Sequence, residues 1–174
     1  MFQDYTIPPL FKDDLFNLLS AEDKHFPHRY ISIGSARSGS NIRVNPVESG
    51  MWSALIHGHV KWVLIHPDAP RAFVKTPKSQ EGIHPNEAIT WFSTVYKRIS
   101  QGDWPFGKYP VTLPRAEGSR YSNDWFLPGW WYATISKGYT TAISHLFCSP
   151  VNLASVYPAI RKKDPTLART FLEK

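Results

Sequence analysis

Apolar positions along the chain recur with two periods, and the shorter one dominates. His28 to Ile33 reads as a strand closed by Gly34, and Ser35 to Ser40 follows as a turn-rich loop. Asn41 to Asn45 alternates as a second, short strand. Trp52 to Ile56 and Lys61 to His66 form a pair broken at His57-Gly58-His59, the pattern of a hairpin. Tyr121 to Leu127 is a weak strand before a turn at Pro128-Gly129. Trp131 to Ser136 and Thr140 to Phe147 repeat the hairpin pattern around Lys137-Gly138. Helical period is confined to four stretches. Lys12 to Leu19 places Phe11, Leu15, Leu18 and Leu19 on one face, with Asp13 and Asp14 in an N-terminal turn. Glu87 to Tyr96 aligns Ile89, Phe92, Val95 and Tyr96, with Asn86 as N-cap. Asn152 to Lys162 and Pro165 to Leu172 close the chain. The last has Asp164 as N-cap and Pro165 at its first position.

Fifteen prolines and ten glycines cut the 174 residues into short pieces, which suits many strands joined by turns rather than a helix bundle. The expected class is mainly β: a barrel or sandwich of short antiparallel strands with peripheral helices. The length fits one domain. Residues 1–150 form its core, and 151–174 form C-terminal helices that pack on the core or mediate association.

Composition narrows the function classes. No apolar run is long enough for a transmembrane helix, and Met1-Phe2-Gln3-Asp4 does not begin a secretory signal. The single cysteine, Cys148, excludes an intramolecular disulfide and a cysteine-built zinc site. A nuclear or cytoplasmic location is expected. The net charge of +6 admits acidic partners. Arg161, Lys162, Lys163, Arg169 and Lys174 give the C-terminal segment a basic face that could meet nucleic acid. The competing reading is ordinary charge at helix C-termini.

Several stretches carry a resemblance. They are Asp4-Tyr5 with Phe11-x-Asp13-Asp14-Leu15-Phe16, then Ile33-Gly34-x-x-Arg37-Ser38-Gly39, then Trp52-x-Ala54-Leu55-x-x-Gly58-His59-x-x-Trp62. Glu87-Ala88-Ile89-Thr90-Trp91-Phe92 and Pro128-Gly129-Trp130-Trp131 complete the set. In this order and spacing, from residue 4 to about 150, the chain resembles the Jumonji-C family of Fe(II)- and 2-oxoglutarate-dependent oxygenases. Within the family it resembles the lysyl hydroxylase and arginine demethylase branch once called the phosphatidylserine receptor. The resemblance implies a double-stranded β-helix, also called a cupin or jelly roll. It also implies that the chain is N-terminally truncated, lacking strands, helices and a cofactor-binding tyrosine that precede the matched region in the family.

The family holds its metal with a His-x-Asp pair on one strand and a distal His on a later one, leaving open positions for cofactor and oxygen. The resemblance places these ligands at Arg43, Asn45 and Tyr132, so all three are replaced. A guanidinium with a pKa above about 12 has no lone pair to give and repels a cation. Asn45 offers a neutral carbonyl, and Tyr132 a phenol of reference pKa about 10. The cofactor-binding lysine falls on Val60, with Lys61 facing the other side of the strand. The hydroxyl that accompanies this lysine falls on Ser144, and an asparagine of the pocket on Ser53.

Other constellations compete. His66-Pro67-Asp68 with His145 is formally a second His-x-Asp and distal His, but Pro67 marks a strand end and Asp68 should be exposed. His145 reads as an outward-facing strand residue. Trp130, Trp131 and Tyr132 could form a methyl-lysine cage, although core packing is the better default. Arg43 either fills a dead pocket paired with Glu48 or Asp124, or joins Tyr132 to hold a carboxylate or phosphate without metal. The replacements favour a catalytically inactive Jumonji-C-like binding or scaffold module, using no cofactor. An active hydroxylase or demethylase and a degenerate copy without activity remain alternatives. A homodimer or stable protein complex is expected through Leu153, Val156, Tyr157, Ile160, Leu167 and Phe171.

Overall fold

The computed structural model describes residues 5–20, 27–105, 110–113, 123–126 and 128–173, with backbone alone for 110–113 and 123–126. Strands and short helices follow one another as β1 (Arg29–Gly34), β2 (Gly50–His57), β3 (Val60–Ile65), α1 (Arg71–Val74), α2 (Ala88–Trp91), α3 (Lys97–Ser100), β4 (Pro110–Leu113), β5 (Asn123–Phe126), β6 (Trp131–Ser136), β7 (Thr140–Phe147), α4 (Leu153–Lys163) and α5 (Pro165–Glu173). The strands make two antiparallel sheets, ordered β1-β7-β2-β5 and β4-β3-β6.

This topology overturns both expected hairpins. β2 and β3 belong to different sheets, and so do β6 and β7. Each short break is a corner at which the chain leaves one sheet for the other. The two corners abut. Lys137 N donates to His59 O at 2.9 Å. Gly58, at φ +87°, runs so close that a Cβ there would lie 2.1 Å from Tyr139 O. Only glycine meets both demands. A short break between alternating runs signals a turn, but not which sheet receives the second strand.

The predicted strand 41–45 is reduced to an isolated bridge at Arg43, opposite Tyr132. The segment nevertheless runs antiparallel beside β6. Arg43 exchanges backbone bonds with Tyr132, Ser40 with Thr134, and Ser136 N donates to Ser38 O. Regular pairing from Arg43 would put residue 41 opposite Thr134, yet Ser40 is there, so one extra residue bulges out. Gly39 allows the approach, since a Cβ on it would sit 2.0 Å from Thr134 O.

Helical readings need smaller corrections. Lys12–Leu19 is only a single 3-10 turn, Leu15–Leu18, capped by Asp14. Phe16 and Leu19 are buried while Leu18 is exposed. The helix starting at Ala88 passes through a π turn at Phe92–Tyr96 into α3. Its cap position is Glu87 rather than Asn86, without a side-chain bond. Trp91, Phe92 and Val95 face the core, and Ile89 turns outward. The Asp164 cap is present: Leu167 N donates to its Oδ1 at 2.9 Å. Tyr121 and Leu127, at the ends of the weak strand, lie outside the described residues, as do Met1 to Asp4 and Lys174.

Apolar side chains gather in four clusters. Met51, Trp62, Leu64, Tyr132 and Leu146 lie between the sheets. Val63, Ile65 and Ala133 meet Trp91, Phe92 and Val95 on the outer face of the smaller sheet. Phe11, Trp52 and Phe147 cover the outer face of the larger one. Phe16, Leu19, Val47 and Cys148 are roofed by Val156, Ile160, Leu167 and Phe171 of α4 and α5. The apolar stripe expected to drive association therefore packs on the chain's own core. No described helix is long and apolar enough to cross a membrane.

Cys148 is a product of this roofing. Burial, and secondarily the charge of Asp14, push its thiol up to about 12. The thiolate is the reactive form. Cys148 should therefore resist a disulfide-exchange reagent at neutral pH in the folded protein and react at once in denaturant. Rapid labelling without denaturant would contradict its burial.

Candidate functional site

Period-2 alternation turns one face of each strand into the space between the sheets. There many of the inward residues are polar. Tyr132, Thr134 and Ser136 come from β6, Thr140 and Ser144 from β7, and Ser53 from β2. With Tyr30, Ser32, Met51, Val60, Trp62, Ala142 and the loop 38–40, they line a cavity of about 280 Å³. Among the described residues the lining contains no carboxylate and one full charge, Arg43.

Of the six positions singled out in the sequence, Arg43, Tyr132, Ser53, Ser144 and Val60 all line this cavity. Arg43 Nε donates to Tyr132 Oη at 2.7 Å, and its guanidinium carbon lies 5.3 Å from the Tyr132 ring centre. Ser53 and Ser144 hydroxyls are 3.0 Å apart. Lys61 points away, its Nζ 4.2 Å from the Tyr96 ring centre. Asn45 is not in the lining. It is buried, and its Nδ2 donates to Ser49 O at 3.0 Å. It thus brackets a turn in which Val47 and Glu48 adopt φ of 47° and 54°. That is a costly conformation for a β-branched residue, held by the burial of Val47 beneath α4 and α5.

Electrostatics set what these groups can be. Tyr132 is raised above the ordinary phenol value by burial, which outweighs the opposing charge and hydrogen bond of Arg43. Tyr30 is pushed up to about 12, first by burial and then by Tyr132, with Arg43 pulling the other way. Both remain neutral phenols at physiological pH. Among the described residues Glu48, one of the two expected partners, makes no ion pair with Arg43; the side chain of the other, Asp124, lies outside them. Arg43 is exposed to solvent.

The competing triad is not assembled. His66 Nδ1 lies 3.5 Å from an exposed Asp68, while its ring meets Trp130. His145 faces away from the cavity, as an outward residue should, but it is fully buried. Its Nε2 is 3.2 Å from Asp14 Oδ2, and both side chains are shielded from solvent. Asp14 Oδ1 also accepts from Phe16 N at 3.1 Å and Cys148 N at 2.9 Å. Sequence reading missed this pair because Asp14 and His145 are far apart in the chain. The cage reading fails too. Trp131 joins the outer-face cluster, while Trp130 and Tyr132 join the inner one. No group of three metal-capable His, Cys, Asp or Glu side chains occurs among the described residues.

Comparison with known proteins supplies the lineage. No family model matches. The bifunctional arginine demethylase and lysyl-hydroxylase psr-1 of Caenorhabditis elegans is 40% identical over 173 residues, which is 99% of this chain and 42% of the relative. Its counterpart in Caenorhabditis briggsae is 39% identical over the same length. An arginine-specific demethylase of Arabidopsis thaliana is 33% identical over 161 residues, covering 91% of this chain and 30% of that protein. The chain belongs to the Jumonji-C family. It spans 42% of the length of the first Jumonji-C relatives it matches.

Proposed function

We propose that the chain is a catalytically inactive Jumonji-C-like module, a double-stranded β-helix whose two sheets now enclose a binding pocket instead of an iron centre. One observation carries this reading. Where the resemblance calls for two imidazoles, Arg43 and Tyr132 are hydrogen-bonded to each other at 2.7 Å. The residues present do not fit a divalent ion. Arg43 is a fixed cation, and Tyr132 is a neutral phenol. Asn45 uses its amide to hold a turn. The opposing reading, an active hydroxylase or demethylase, rests on the names of the relatives.

Titration with Mn²⁺, a redox-stable stand-in for Fe²⁺, separates the two. No stoichiometric site should appear at micromolar concentration. One site abolished by changing Asn45 or Tyr132 would defeat the proposal. The triple change Arg43→His, Asn45→Asp and Tyr132→His should create measurable Mn²⁺ affinity, because Arg43 and Tyr132 already meet and loss of the Asn45 amide bond to Ser49 O frees position 45 to turn toward them. It should also lower stability, since a carboxylate in place of the Asn45 amide could no longer donate to Ser49 O. A folded triple variant without metal affinity would show that the three positions are misassigned.

A further inference from the structure

We propose that the cavity between the sheets binds a small oxyanion bearing neutral hydroxyl groups, of the sugar-phosphate or sugar-acid kind, held by Arg43 without metal. This rests on the metal-free reading above and adds the ligand class.

Three observations converge. First, the charge is unbalanced among the described residues: Arg43 is the one cation, and no Asp or Glu among them lines the cavity. Its Nε is committed to Tyr132 Oη, which fixes the plane of the guanidinium. The terminal nitrogens have no partner among the described residues, and a guanidinium edge matches a carboxylate or phosphate in two-point geometry. Second, the walls invert the usual pattern. Inward strand positions ordinarily fill with aliphatic side chains. Here Ser53, Thr134, Ser136, Thr140 and Ser144 are all buried and all line the cavity. Their mutual bonds are few: Ser53 with Ser144 at 3.0 Å and Ser136 with Thr140 at 3.0 Å. Each hydroxyl still offers further donor or acceptor capacity. An uncharged, hydroxyl-bearing ligand body suits such walls, while Met51, Val60, Trp62 and Ala142 supply apolar contact. Third, the volume of about 280 Å³ matches the lower end of small-molecule sites, roughly 300–1,000 Å³. Arg43 also borders a neighbouring hollow of about 300 Å³ that contains Lys75, so an anion approaching from that side meets a second cation.

Calorimetry on the full chain in the presence of a chelator tests this. The probes are ribose 5-phosphate, gluconate, inorganic phosphate and uncharged ribose. Ribose 5-phosphate or gluconate should bind, inorganic phosphate more weakly, and ribose not detectably. Which of the two hydroxylated anions binds tighter decides between a phosphate and a carboxylate head. Arg43→Gln should weaken binding roughly ten- to hundredfold. Val60→Lys, which adds a cation to the same wall, should tighten it. Opposite signs from two cavity variants cannot come from general destabilisation. Absence of binding by both hydroxylated anions at millimolar concentration, or binding indifferent to Arg43→Gln, would overturn the proposal. A Mn²⁺ site in the unmodified chain would instead defeat the metal-free reading on which it rests.

Discussion

Asp14→Ala should cost the folded state about 3–5 kcal/mol, a large part of the roughly 5–15 kcal/mol that holds a domain together. The reason is the number of groups that depend on one carboxylate. Asp14 Oδ1 accepts from Phe16 N and from Cys148 N, while Oδ2 stands 3.2 Å from His145 Nε2. Alanine would leave two buried backbone donors and a buried imidazole without this partner, and each orphaned group carries its full desolvation cost. Rings close the site to water: Trp52 lies edge-on to His145 at 5.6 Å between centroids. Asp14→Asn should do less damage, because the amide oxygen still accepts from the backbone. Chemical denaturation of the three proteins reads the order directly. Equal stability of the alanine variant and the parent would mean that the carboxylate is not the hub drawn above.

A chain ending at Pro150 should not fold. Val156, Ile160, Leu167 and Phe171 are buried against Phe16, Leu19, Val47 and Cys148. Burying one such side chain stabilises by about 1.5–3 kcal/mol, so losing four removes about 6–12 kcal/mol, comparable to the whole stability. Circular dichroism and light scattering would show a molten or aggregated product. A shortened chain that stays folded while losing a dimer would assign these helices to association instead, as their apolar stripe first suggested.

Most strands were legible because burial on one or both faces leaves a short-period trace in the residues. The last helix was legible because Asp164 and Pro165 are local signals, and the cap bond is made. What escaped was long-range. Nothing between Ile56 and Lys61 tells that β2 and β3 separate into different sheets; that choice is made by β7, which takes β2 as its neighbour. The strand expected at Asn41 to Asn45 dissolved because a bulge beside Thr134 breaks its register. For the site, Arg43, Tyr132, Ser53, Val60 and Ser144 do converge on one cavity. Asn45 does not, because its neighbours Val47 and Glu48 turn the chain away beneath the C-terminal helices. The hydroxyls of Thr134, Ser136 and Thr140 had a visible signal, polar residues at alternate strand positions. It is ambiguous without knowing which face is inside.

The position of β1 has a kinetic consequence. Its partner is β7, with Arg29 opposite His145. Asp14 and Cys148, 134 residues apart, are joined by one bond. Two early segments of the chain therefore find their places only after β7 has been made. Contacts of such wide separation slow folding, because loop closure must precede any gain from the contact. On a ribosome β1 would emerge well before its partner β7. The larger sheet must then assemble late and nearly all at once, with the last strand inserted between the first two.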